Sequence, residues 1–148
     1  MPKLLLFVPC ERVILGQGDN SVSLIVLIQK LQLNQVAPKI DENTTMFARI
    51  HLFTEWQKAP NDQGKVFEQR FTFGTSGNKP NVEALMEFTI SERTHRTIGL
   101  IEMLPFLPAG EYEFGLWLRE KGEAKWPDTP VATYPVELAH GPSVLVHK

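Results

Sequence analysis

Val66-Phe67-Glu68-Gln69-Arg70-Phe71-Thr72-Phe73 puts Phe67, Phe71 and Phe73 on one side of an extended chain and Glu68, Arg70 and Thr72 on the other. That period of two marks a strand with one buried face and one wet face. Upstream the same period holds in Met46, Ala48, Ile50, Leu52, Thr54 and Trp56, with Arg49, His51 and Glu55 pointing away and Phe47 and Phe53 leaving that second side only partly wet. Downstream, Ala84, Met86, Phe88 and Ile90 share a face opposite Glu87 and Thr89, and Tyr112, Phe114, Leu116 and Leu118 share one opposite Glu111, Glu113, Trp117 and Arg119. Between these runs lie turn formers: Pro60-Asn61-Asp62 with Gly64, the stretch from Gly74 to Asn81, and Lys121-Gly122.

Toward the ends the pattern is less regular. Leu4 to Val8 reads as a first strand and is too short for the apolar core of a secretion signal. Glu11 to Leu15 runs into the hairpin-like cluster Gly16-Gln17-Gly18-Asp19-Asn20. Ser21 to Leu33 is rich in Val, Ile and Leu and lacks Gly and Pro, which predicts one long strand buried on both faces. Asn34 to Thr45 is an extended connection, and His95 to Met103 is a strand carrying Ile98, Leu100 and Met103 before Pro105 and Pro108 end it. Val131 to Leu138 supplies the last strand, with Pro135 best tolerated where no neighbour needs its missing N–H. About eight strands with no helical stripe indicate an all-β chain, an antiparallel two-sheet sandwich forming a single domain over 1–148.

A length of 148 residues suits one core, and 43% hydrophobic with 22% charged residues is ordinary for a globular protein, which argues against disorder and membrane residence. Fifteen basic and 17 acidic residues give a net charge of −2, and no run of Lys and Arg exceeds two, so neither a nucleic acid nor a membrane is expected as partner. The single cysteine, Cys10, forms no intramolecular disulfide, which makes the cytoplasm the expected compartment.

The segment Pro108-Ala109-Gly110-Glu111-Tyr112 is similar to the corner that opens a late strand in immunoglobulin-like sandwiches, where the tyrosine hydroxyl bonds to upstream backbone. With Cys10-Glu11-Arg12-Val13 and Ser23-Leu24-Ile25, it makes the chain resemble a bacterial family of immunoglobulin-like or C2-like β-sandwich proteins for which no activity is established. The resemblance implies the fold and a cytoplasmic bacterial setting, with a structural role for Tyr112, and it implies no activity.

No constellation of catalytic type emerges from the spacing. Gly74-Thr75-Ser76-Gly77 lacks the spacing of a nucleophile elbow and lies between two extended runs. Cys10 with His51 or His95 has the right residue types, but a lone cysteine is more often a small buried hydrophobe. His51, His95, His140 and His147 are too scattered for a zinc site. Asp19, Asn20, Asp41, Glu42, Asn43, Asn61, Asp62 and Asp128 fall in loops, where calcium is conceivable, but they also favour turns for backbone reasons. Gly16-Gln17-Gly18 lacks the third glycine of a dinucleotide loop. Asn43-Thr44-Thr45 would accept a glycan only on a secreted eukaryotic chain.

Two tryptophans stand out. Trp117 projects from the wet face of its strand beside Arg119, and Trp126 sits in a loop. Such residues anchor protein partners, stack on sugars, or are covered by a loop or a second copy of the chain. The expectation is a non-enzymatic protein-binding or assembly module, without cofactor or metal, using Trp117, Arg119 and Trp126 to hold a protein partner or to form a homodimer. The competing expectation is a carbohydrate- or small-ligand-binding sandwich in which Trp126 or Trp56 stacks on a sugar.

Overall fold

The computed structural model describes residues 1–33 and 45–140. Among them are nine strands and no helix: β1 (Lys3–Leu15), β2 (Val22–Leu27), β3 (Lys30–Leu33), β4 (Thr45–Gln57), β5 (Val66–Gly74), β6 (Val82–Thr89), β7 (Thr94–Pro105), β8 (Gly110–Glu120) and β9 (Ala132–His140). They form two packed sheets. The smaller has the order β2-β1-β4-β7, and the larger has the order β3-β9-β8-β5-β6.

The alternating runs account for the core. Met46, Ala48, Ile50, Leu52 and Trp56 from β4 meet Phe67, Phe71 and Phe73 from β5 and Phe114, Leu116 and Leu118 from β8, all buried in one cluster. A polar tie crosses this interior. Gln69 Oε1 accepts from Trp56 Nε1 at 2.7 Å, Gln69 Nε2 donates to Thr97 Oγ1 at 2.8 Å, and Thr54 bonds to both Thr97 and Gln69. Because each member is buried and partnered, sliding one sheet over the other breaks several hydrogen bonds at once. The corner also forms: Tyr112 Oη donates to the carbonyl of Pro108 at 2.7 Å, and its burial pushes the phenol pKa up.

Two expectations are corrected. Ser21 to Leu33 is two strands: β2 pairs with β1 in the smaller sheet, and β3 pairs with β9 in the larger one. Val26 adopts a left-handed φ of 56° just before the chain changes sheets, and β2 is largely exposed. Second, β3 runs parallel to β9, so the larger sheet is mixed and the fold is not purely antiparallel.

Two further features were not anticipated, and the first is that β7 turns several of its apolar residues outward. Its buried side carries Thr97, Gly99, Ile101 and Leu104, while Ile98, Leu100 and Met103 face out. Register fixes this, since Leu52 opposes Gly99 and Ile50 opposes Ile101, and a Cβ on Gly99 would lie 2.7 Å from the ring of Phe71. The second is how far the partly wet side of β4 is covered: Phe53 is fully buried there, away from the core, alongside Val8 and Cys10 of β1. The tip of the β1–β2 hairpin returns across β4 to β7, where the carbonyl of Asn20 accepts from Arg96 Nη1 at 2.6 Å. Pro135 lies in β9 ahead of Glu137, where the pairing with β3 begins. Its missing N–H therefore interrupts no ladder on that side.

Candidate binding site

On the outer face of the larger sheet, register sets the side chains in rows. Arg70 of β5 lies opposite Trp117 of β8 and Leu85 of β6; Glu68 lies opposite Arg119 and Glu87; Thr72 lies opposite Gly115 and Glu83. Gly115 has a steric reason to be glycine, because a Cβ there would sit 2.4 Å from Thr72 Oγ1 and 3.1 Å from Trp117 Nε1. Its absence leaves room for Trp117 Nε1 to donate to Thr72 Oγ1 at 3.2 Å, which fixes the indole edge-down on the sheet.

The loop between β8 and β9 then brings Trp126 onto the same rows. The guanidinium carbon of Arg70 lies 4.6 Å from the ring centre of Trp117 and 4.7 Å from that of Trp126, so one cation is shared by two indoles. Arg119 lies 4.2 Å from the centre of Trp126. Arg119 also gives Nε and Nη2 to Glu68 Oε2, both at 2.7 Å, with both side chains mostly buried. Arg70 is less well served: Glu83 is 3.8 Å from its Nη1, and its Nε is buried without a hydrogen-bond partner among the described residues. Lys121 closes the row on Glu87 at 2.9 Å, and that carboxylate's hydrogen bond and charge raise the lysine pKa.

Trp117, Arg119 and Trp126, chosen from sequence, therefore meet in one cluster. Arg70, which the sequence offered only as a polar member of an alternating strand, is its centre. Beside the cluster runs a groove of about 540 Å³, lined by Trp117, Glu113, Asp128 and the β5–β6 loop with Thr75, Ser76 and Asn78. Leu85 stands next to Arg70 at 68% exposure.

Other candidates lie elsewhere. Trp56 is fully buried under Gln69 and has no face for a sugar. Cys10 and His51 prove to be cross-strand partners, yet burial pushes the Cys10 thiol up, away from the nucleophilic thiolate, and His51 Nδ1 is within 2.7 Å of the carbonyl of Glu11. His95 stacks on Phe88 at 5.1 Å, and burial lowers its pKa. His140 Nε2 is within 2.7 Å of the carbonyl of Leu107.

Two of the loop carboxylates are engaged by their own turns: Asp19 accepts from the N–H and hydroxyl of Ser21, and Asp62 accepts from the N–H of Ala59. Among the described residues no three His, Cys, Asp or Glu side chains converge on a common point, and no helix is long and apolar enough to cross a membrane. Asp41, Glu42, Asn43, the acceptor Asn of the glycan-type triplet, and His147 lie outside the described residues.

Compared with known proteins, the chain matches no protein-family model and no curated protein.

Proposed function

We propose that this chain is a non-enzymatic recognition module on an immunoglobulin-like sandwich, and that it holds a protein partner on the outer face of the larger sheet. The observation that carries this reading is the shared cation: Arg70 between Trp117 and Trp126, with Arg119 under the same ring. Arg and Trp dominate the energetics of protein interfaces, and side chains already held by rings and carboxylates lose less entropy when a partner arrives. Exposed Leu85 supplies the apolar contact beside them. The Tyr112 corner supports the immunoglobulin-like assignment.

The test is quantitative capture by the immobilised chain, comparing wild type with Arg70→Glu and Leu85→Glu, and with exposed Leu5→Lys on β1 of the other sheet as control. Proteins held by wild type and by the control, and released by both face variants, are the expected result. A bound set indifferent to both face variants refutes the reading.

One observation favours a second reading, a small polar ligand. The groove falls within the roughly 300–1,000 Å³ of ordinary ligand sites, and hydroxyl, amide and carboxylate groups line it around one indole. Saturable quenching of tryptophan fluorescence by a member of a glycan panel, abolished by Trp117→Phe, is its signature.

A further inference from the structure

We infer that the chain pairs with a second copy of itself through the outer edge of β7, continuing the smaller sheet across a two-fold axis. Among the described residues β7 is paired on one side only, with β4. Its outward side chains read Arg96, Ile98, Leu100 and Glu102, and its inward ones Thr97, Gly99 and Ile101.

An antiparallel self-pairing must oppose outward residues to outward ones, so registers shifted by a single residue are excluded. Of those that remain, the register centred on Gly99 sets Arg96 against the partner's Glu102 and Ile98 against the partner's Leu100, and the two-fold repeats each pair. Moving the centre to Ile98 or Leu100 loses the charge match. Arg96 is already oriented by Glu55 at 3.3 Å and by the Asn20 carbonyl. Ile98 and Leu100, 36% and 45% exposed, gain an apolar covering.

The other edges are unsuited to the same pairing. β6 has no basic residue, so no register of it with its own copy matches opposite charges, and the one centred on Leu85 opposes Glu83 to the partner's Glu87. Val26, with its left-handed φ, interrupts β2, and β3 has only four residues. A long edge that no described strand pairs invites another strand, and β7 carries the charge pattern that selects its own copy.

Sedimentation of wild type from micromolar to millimolar concentration should show a reversible monomer–dimer equilibrium. Glu102→Arg, which sets arginine against arginine twice, should weaken the dimer about tenfold or more while leaving the circular dichroism spectrum unchanged. Register is read by mixing a chain bearing Ile98→Cys with one bearing Leu100→Cys: mixed disulfides should dominate over self-disulfides, because directly opposed Cβ atoms lie within disulfide reach. Buried Cys10 contributes little background. A wild-type monomer throughout, a dimer indifferent to Glu102→Arg, or equal yields of mixed and self-disulfides overturns the inference. None of these outcomes bears on the proposed role of the larger sheet.

Discussion

At the centre of the larger sheet's outer face, large side chains hold one another: Arg70 lies against two indoles, Arg119 against Trp126 and Glu68, and Trp117 against Thr72. Along β7 of the smaller sheet, Ile98, Leu100 and Met103 stand exposed with charges only at Arg96 and Glu102. The first surface is held together by its own contacts, and the second is the one we propose a second copy covers. An outward-facing aromatic therefore need not be an unfinished surface.

Variants sharpen this contrast. The largest loss is expected inside, where Gln69→Leu strands the buried N–H of Trp56 and removes the tie between the sheets. Urea unfolding should show a loss of about 3 kcal/mol, since a buried donor without a partner costs on that order. Gly99→Ala, which forces a methyl against the Phe71 ring, should cost about 2 kcal/mol by the same measurement. Trp126→Ala, by contrast, exposes Arg70 and Arg119 and should cost about 1 kcal/mol, because cation–π contacts at partly exposed sites are weak.

The smallest effect is one of pH. Burial lowers the His95 pKa below its ordinary 6.5, so the unfolded chain takes up a proton at a higher pH than the folded one. Stability should therefore fall as pH drops below 6.5 and stop falling once folded His95 is protonated. Substitution by Gln should flatten that portion of the pH profile.

Much of the fold was legible because burial enforces alternation. Met46 to Trp56, Val66 to Phe73 and Tyr112 to Leu118 each have one side in the core, and their sequences say so. The phase of β7 was not legible, because two of its inward positions are Thr97 and Gly99, chosen by the polar tie and by the Phe71 ring, while Ile98, Leu100 and Met103 face out. The break between β2 and β3 was hidden for a different reason: no glycine announces it, and Val26, a residue that ordinarily avoids positive φ, takes a left-handed φ just before it. At the binding face, Trp117, Arg119 and Trp126 could be singled out by residue type, whereas Arg70 joins them only through the β5–β8 register.

The claim that the larger sheet presents a preorganised face is tested most directly by NMR relaxation of the arginine Nε–H groups. Arg70 and Arg119 should show order parameters near the rigid-backbone value of about 0.85, and Trp126→Ala should lower both toward the flexible range below about 0.6. Wild-type values already in that flexible range, or values unmoved by Trp126→Ala, would contradict the account.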